Sequence, residues 1–160
     1  KIFIDGEDIT TFSKTQLSLF RLKKLGFVFQ EFNLIPVLTI RENIEFPLIL
    51  QGWDKERCRT AVDSVMQELG IEQISERKPF AVSGGQQQRV AVARAVVSSP
   101  VLVLADEPTA NLDSHNSTLL VQLMKRLNKE KGVTFIFASH DELVLKEAGR
   151  IIYLRDGKII

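Results

Sequence analysis

Four places in the 160-residue chain carry side chains whose type and setting can do chemistry. The first is Val101-Leu102-Val103-Leu104-Ala105-Asp106-Glu107, an apolar run that ends in two carboxylates. Carboxylates at the carboxyl end of a buried parallel strand sit where open α/β sheets bind ligands. Neighbouring strand side chains point to opposite faces, so Asp106 and Glu107 cannot share one role. One can hold Mg²⁺, usually through water, while the other orients or deprotonates an attacking water. The plain alternative is that two polar residues mark the end of a strand.

The second place is Ser83-Gly84-Gly85-Gln86, which opens a helix rich in small and branched residues. Exposed amides, a small hydroxyl and two residues without side chains let a phosphate approach the positive end of a helix dipole. A serine cap with a flexible approach is the alternative, although two successive glycines are a costly way to begin a helix. His140 follows the apolar run Phe135-Ile136-Phe137-Ala138-Ser139. There it can donate to a phosphate oxygen or simply satisfy a helix start. Gln30 also ends an apolar run and is able to reach a metal or a water, or does nothing in particular.

Positioning such residues requires strands that end together. Gly26 to Phe29, Val101 to Leu104 and Val133 to Ala138 are short, apolar and bounded, as strands buried on both faces are. Helices alternate with them. Ser13 with Gln16 and Thr39 with Glu42 form capping boxes, and Asp54 caps a helix whose apolar positions fit a 3.6 period and stop at Gly70. Pro47 is expected to kink or interrupt the second of these helices. Leu119 to Leu127 is helical in period, and a short helix starts at Asp141. Ile2 and Ile4 read as a strand before an Asp5-Gly6 turn, and Ile151 to Leu154 as a strand before an Asp156-Gly157 hairpin turn. The pattern predicts an α/β fold with a mainly parallel sheet and a helical insertion over about 39 to 98.

Composition narrows the function. A formal net charge of +1 argues against a nucleic-acid field or a polybasic membrane anchor. Cys58 is the only cysteine, so no internal disulfide forms and a reducing compartment is expected. The apolar region Leu34 to Leu50 carries Arg41, Glu42 and Glu45 and does not span a bilayer. A membrane role would come through a partner.

Taken in order, Gln30 after a strand, Ser83-Gly84-Gly85-Gln86 opening a helix, an apolar strand into Asp106-Glu107-Pro108, Asn111-Leu112-Asp113 and the post-strand His140 resemble the ABC-type transport ATPases. By that resemblance Gln30 is the Q-loop residue and can also reach the metal, and Ser83, Gly84, Gly85 and Gln86 belong to the signature motif. Asp106 is the Walker B metal residue, Glu107 the catalytic base, Asp113 part of the D-loop and His140 the switch histidine. Gly26-Phe27-Val28-Phe29-Gln30 and Pro108-Thr109-Ala110-Asn111-Leu112-Asp113 look like the lipoprotein-release and macrolide-efflux subgroup. The resemblance implies a P-loop NTPase (RecA-like) fold in which residues 1–38 and 99–160 form one lobe and 39–98 a helical subdomain. It also implies ATP and Mg²⁺ as cofactors, a second ATP-binding subunit and a transmembrane permease as partners, no nucleic acid, and a place on the cytoplasmic face of the membrane through the permease.

The chain departs from the family at two points. Val82 stands where leucine is usual. More seriously, no G-x-x-x-x-G-K-S/T loop occurs; Gly157-Lys158 is followed by Ile159 and belongs to a hairpin turn. The family places that loop ahead of a strand like Lys1 to Asp5, so the resemblance implies an incomplete fold, a fragment expected to be inactive alone. Two further functions fit parts of the pattern: the carboxyl-terminal half of a DNA-organising or repair ATPase head, and a non-catalytic interaction module. In the first, a long coiled coil separates glutamine from signature, whereas Gln30 and Ser83 are joined by a short region without sustained heptads. The apolar segment Phe32 to Leu38 after Gln30 is expected to meet the membrane partner, with Leu34 and Ile35 as contact residues.

Overall fold

Short polar side chains open the helices of this protein, and a computed structural model describes all 160 residues. Ser13, Thr39 and Ser83 each accept from the backbone N–H three residues on, while Gln16, Glu42 and Gln86 reach back, giving three complete capping boxes. These start α1 (Lys14–Lys24), α2 (Ile40–Leu50) and α4 (Gly84–Val96). Asp54, Asp113 and Asp141 cap α3 (Lys55–Leu69), α5 (Ser114–Lys131) and α6 (Glu142–Glu147). Two small antiparallel hairpins lie at the ends: β1 (Phe3–Ile4) with β2 (Glu7–Asp8), and β6 (Leu154–Arg155) with β7 (Lys158–Ile159).

The central sheet is parallel throughout, in the order β3 (Leu25–Val28), β4 (Leu102–Asp106), β5 (Thr134–Ala138). Its register pairs Val28 with Ala105 and Asp106 with Ala138, so the three strands end at nearly one level. Helices α2, α3 and α4 intervene between β3 and β4, and α5 between β4 and β5. One core of 23 buried residues runs from Val28, Val103 and Ala105 of the sheet through Val92 and Val96 of α4 to Ile44 of α2 and Met66 of α3, and to Met124 of α5 on the other side. Helix α4 lies so close to β3 that a Cβ on Gly26 would collide with the Ala95 carbonyl. Glycine at 26 is therefore a packing requirement, and it sets the height of α4 over the sheet.

Three expectations change. Pro47 does not end α2, which continues to Leu50. A helix-interior proline costs about 3 kcal/mol. Burial of Ile40, Ile44 and Leu48, all fully covered, offsets it at about 1.5–3 kcal/mol each. β5 is not buried on both faces: it is an edge strand, and Ile136 is 54% exposed. Residues 151–153 are not in a strand; only Leu154 and Arg155 pair across the Asp156-Gly157 turn, where both residues have positive φ as a tight hairpin turn requires.

Candidate functional site

The common ending of β4 and β5 brings residues 106–109 beside 139–141. Glu107 leaves β4 with φ 42, a left-handed conformation that is uncommon for a side chain of this size. Its N–H donates to the Ala138 carbonyl at 2.9 Å, which turns the carboxylate toward the end of β5. A carboxylate only accepts, so His140 Nδ1 carries the proton in its 2.6 Å contact with Glu107 Oε1. Ser139 Oγ donates to Oε2 at 3.0 Å. Burial is the largest single influence on Glu107 and raises its pKa, yet the bonds from His140 and Ser139 together overcome it and hold the group below its ordinary value. The same contact raises His140. Beside the pair, Thr109 Oγ1 donates to Asp141 Oδ2 at 2.6 Å while Asp141 Oδ1 caps α6. A cavity of about 610 Å³ opens here, lined by Glu107, Thr109, Ser117, His140 and Asp141.

Asp106 is exposed at the last position of β4 and takes no part in the Glu107–His140 contact. No three histidine, cysteine, aspartate or glutamate side chains gather to cage a metal. A single carboxylate such as Asp106 suits Mg²⁺, which keeps several waters and is held by one or two protein oxygens together with phosphates. The chain fixes Gln30 by its backbone: Asn111 Nδ2 donates to the Gln30 carbonyl at 2.9 Å, and the side chain stays exposed.

At the start of α4, Ser83 and Gln86 satisfy each other. Ser83 Oγ accepts from the Gln86 N–H at 3.3 Å, and Gln86 Oε1 accepts from the Ser83 N–H at 3.0 Å. Gly84 has ordinary room, its nearest neighbours being the Asn111 carbonyl and the Phe32 ring. Gly85 does not: a Cβ there would stand 2.9 Å from Asn116 Oδ1. So Gly85 has a reason inside the chain, the close approach of the first turn of α5. Asn116 in turn holds Asp113 through its backbone N–H at 2.8 Å and its Nδ2 at 2.7 Å, and these bonds hold the Asp113 pKa low. The structure thus gathers the candidates into two groups: Glu107 with His140, and Gln30, Gly84, Gly85 and Asp113 around Asn111 and Asn116. The side chains of Ser83 and Gln86 meet each other and neither group.

The family profile described as ABC transporter matches residues 1–110. The chain is 41% identical over 157 residues to the ABC transporter ATP-binding protein YtrE of Bacillus subtilis, covering 98% of this chain and 68% of that protein. It is 38% identical over 160 residues to the lipoprotein-releasing system ATP-binding protein LolD of Aquifex aeolicus, covering 100% of this chain and 71% of that one. The chain belongs to the ABC transporter ATP-binding family. A dimeric post-hydrolysis state of the family's ATP-binding cassette MJ0796 of Methanocaldococcus jannaschii, bound to ADP and Pi, superposes with a TM-score of 0.86 at 42% identity, covering 98% of this chain and 69% of that chain. This member spans about 61% to 71% of the length of several such relatives. The match to LolD agrees with the subgroup likeness seen in the sequence.

Three residues of this family member, Asn116, Gln88 and Arg94, escape a linear motif, and a fourth, Asn111, stands in one that does not show its partner. Asn111 acts through a bond to the distant Gln30 carbonyl, and Asn116 through its close approach to Gly85. Gln88 is fully buried beneath Pro108. Arg94 donates to the carbonyls of Phe32 at 2.9 Å and Asn33 at 2.6 Å, two successive left-handed residues just after Gln30. Burial lowers its pKa. A visible signal existed for Arg94, the lone charge in Val90-Ala91-Val92-Ala93-Arg94-Ala95-Val96. In the segment after Gln30, Leu34 packs against the core and the Ile35 N–H and carbonyl are held by Asn43 at 2.7 and 3.1 Å. Val37, 77% exposed, faces outward beside exposed Pro36.

Proposed function

We propose that this chain supplies ATP binding and hydrolysis to a membrane transporter, with Glu107 and His140 at the reacting end. The observation that carries the proposal is their 2.6 Å contact at the ends of two neighbouring parallel strands, beside an exposed Asp106. Glu107 is the general base. In the arrangement seen here its carboxylate is held by His140, and a carboxylate held low is a weak base. Turning His140 from Glu107 to a terminal phosphate oxygen would release the carboxylate for the attacking water and place an imidazole donor on the phosphate.

Asp106 and the Gln30 amide would hold Mg²⁺, which when bound would neutralise charge on the phosphate oxygens. Ser83, Gly84, Gly85, Gln86 and Asp113 face the nucleotide of a second ATP-binding subunit; the dimeric, ADP-bound cassette supports that partner. We divide the chain into a nucleotide lobe of 1–38 and 99–160 and a helical subdomain of 39–98, with the latter turned to the permease. Exposed Ile49, Leu50 and Phe80 of that subdomain, with Val37 just before it, support an apolar contact there. No helix is long and apolar enough to cross a membrane, and we place the protein on the cytoplasmic face through the permease. Nucleic acid is not a partner in this scheme.

The test is Glu107→Gln in the full-length protein, with ATP binding and phosphate release measured separately. Retained binding with abolished hydrolysis is the expected result. Near-normal turnover would remove Glu107 from the reaction and the proposal with it.

A further inference from the structure

We infer that Gln88 is a positioning residue for Glu107, acting from α4 through the Pro108 carbonyl; the inference rests on the hydrolytic role proposed for Glu107. Gln88 is 0% exposed, and its Nε2 donates to the Pro108 carbonyl at 2.7 Å. A carbonyl only accepts, so the amide faces it with its NH₂ and turns its oxygen away. That oxygen, Gln88 Oε1, is the one buried side-chain polar atom without a hydrogen-bond partner in the protein. Burying an amide with one end unpaired is destabilising. Leucine or methionine would remove that cost but leave the buried Pro108 carbonyl without its donor, so glutamine is held here by the Pro108 bond rather than by packing.

The bond acts on a strained turn. Glu107 has φ 42 and precedes a proline, which by itself disfavours helical backbone angles in the residue before it. A conformation of this kind persists when its surroundings over-determine it. The backbone gives two ties, from Glu107 N–H to the Ala138 carbonyl and from Ala110 N–H to the Glu107 carbonyl at 3.2 Å. Side chains give two more, one on each side of the Pro108–Thr109 step. Asp141 takes the Thr109 hydroxyl from the β5 side, and Gln88 takes the Pro108 carbonyl from the α4 side. Without Gln88 the turn keeps its backbone bonds but loses its only side-chain tie to α4, and the Glu107 carboxylate is free to drift from His140. Because α4 starts at Ser83, the same bond links the exposed helix start to the acidic turn.

Gln88→Leu and Gln88→Met in the full-length protein test the inference. A misplacement of about 1 Å at a reacting group costs about 10²-fold, so kcat for ATP hydrolysis is expected to fall by one to two orders of magnitude. KM for ATP should change by less than about 2-fold and Tm should fall only slightly, since losing the unpaired Gln88 oxygen offsets part of the cost of leaving the Pro108 carbonyl without a donor. In a Glu107→Gln background neither substitution should lower the residual rate further. Normal kcat in both variants, while Glu107→Gln alone is inactive, would overturn the positioning role and leave the hydrolytic reading standing. A loss of activity no greater than the fraction unfolded at the assay temperature, or a further loss on top of Glu107→Gln, would also overturn it. Full turnover in Glu107→Gln alone would instead strike the hydrolytic reading itself.

Discussion

At the acidic end of β4 the bonds that set the geometry join residues 32 and 33 apart in the chain, Glu107 to Ser139 and His140. At the start of α4 they join residues 3 apart, Ser83 to Gln86. The first region exists only when β4 and β5 are side by side and Glu107 holds its left-handed turn. The second needs one helix to have begun. Both carry residues proposed to meet a nucleotide, one this chain's own and the other a partner subunit's, yet one region is a product of the whole fold and the other of a local pattern. A change at the acidic end should therefore alter chemistry without altering the helix, and a change at the helix start should alter stability in small, separable steps.

The largest expected effect is that of Glu107→Gln, a fall in kcat of about 10²–10⁴-fold, the usual contribution of a positioned general base. Circular dichroism should show α4 unchanged. Next comes His140→Ala, with a fall in hydrolysis of about 10²-fold and a second readout in pH. His140 is raised above its ordinary 6.5, first by the hydrogen bond with Glu107. Its contribution is thus fully present below 6.5 and is lost as pH rises through the raised value. Glu107 is lowered below 4.5, so its contribution is present above 4.5 and lost as pH falls through the lowered value. An imidazole NMR titration should show His140 titrating above 6.5 in the parent and moving down toward 6.5 in Glu107→Gln. An unshifted titration in both would mean that the contact does not persist in solution.

Smaller effects belong to the other region. Gly85→Ala sets a Cβ against Asn116 Oδ1 and should cost about 1–3 kcal/mol in thermal unfolding. Pairing it with Asn116→Ala should return much of that loss, since the clash is with a side-chain end. If the pair adds instead, Gly85 is not there for α5. The smallest effect is Ser83→Ala, about 1 kcal/mol from the lost cap, with no change in the His140 titration.

The same contrast explains what the sequence made legible. Capping boxes at Ser13 and Thr39 are pairs of polar residues at fixed spacing, and both formed; Ser83 and Gln86, read for phosphate approach or a plain serine cap, make a third. The parallel sheet followed from three apolar runs that needed cover on both sides. What escaped depends on partners far off in the chain: Gln88 under Pro108, Asn111 on Gln30, Asn116 beside Gly85. Gly85 had been read for phosphate approach, and linear spacing offers no sign that a neighbouring helix also claims its space. Pro47 misled because propensity is local, whereas the burial that keeps α2 intact is not. The run Thr134-Phe135-Ile136-Phe137-Ala138 looks like an interior strand by composition, yet a strand's place in the sheet order is a property of the whole topology.

That edge position of β5 bears on how the 160 residues behave in a tube. A strand of five residues with no proline and no charge, β5 has a neighbouring strand in the sheet on one side only, and Ile136 on it is exposed. Natural sheets blunt such borders with lysine, proline or a bulge, and this one carries none of the three. Strands of that kind template one another across molecules. Turbidity that climbs with protein concentration, and yields from bacterial expression that drop as the temperature of induction rises, are the practical mark of an unguarded β-border.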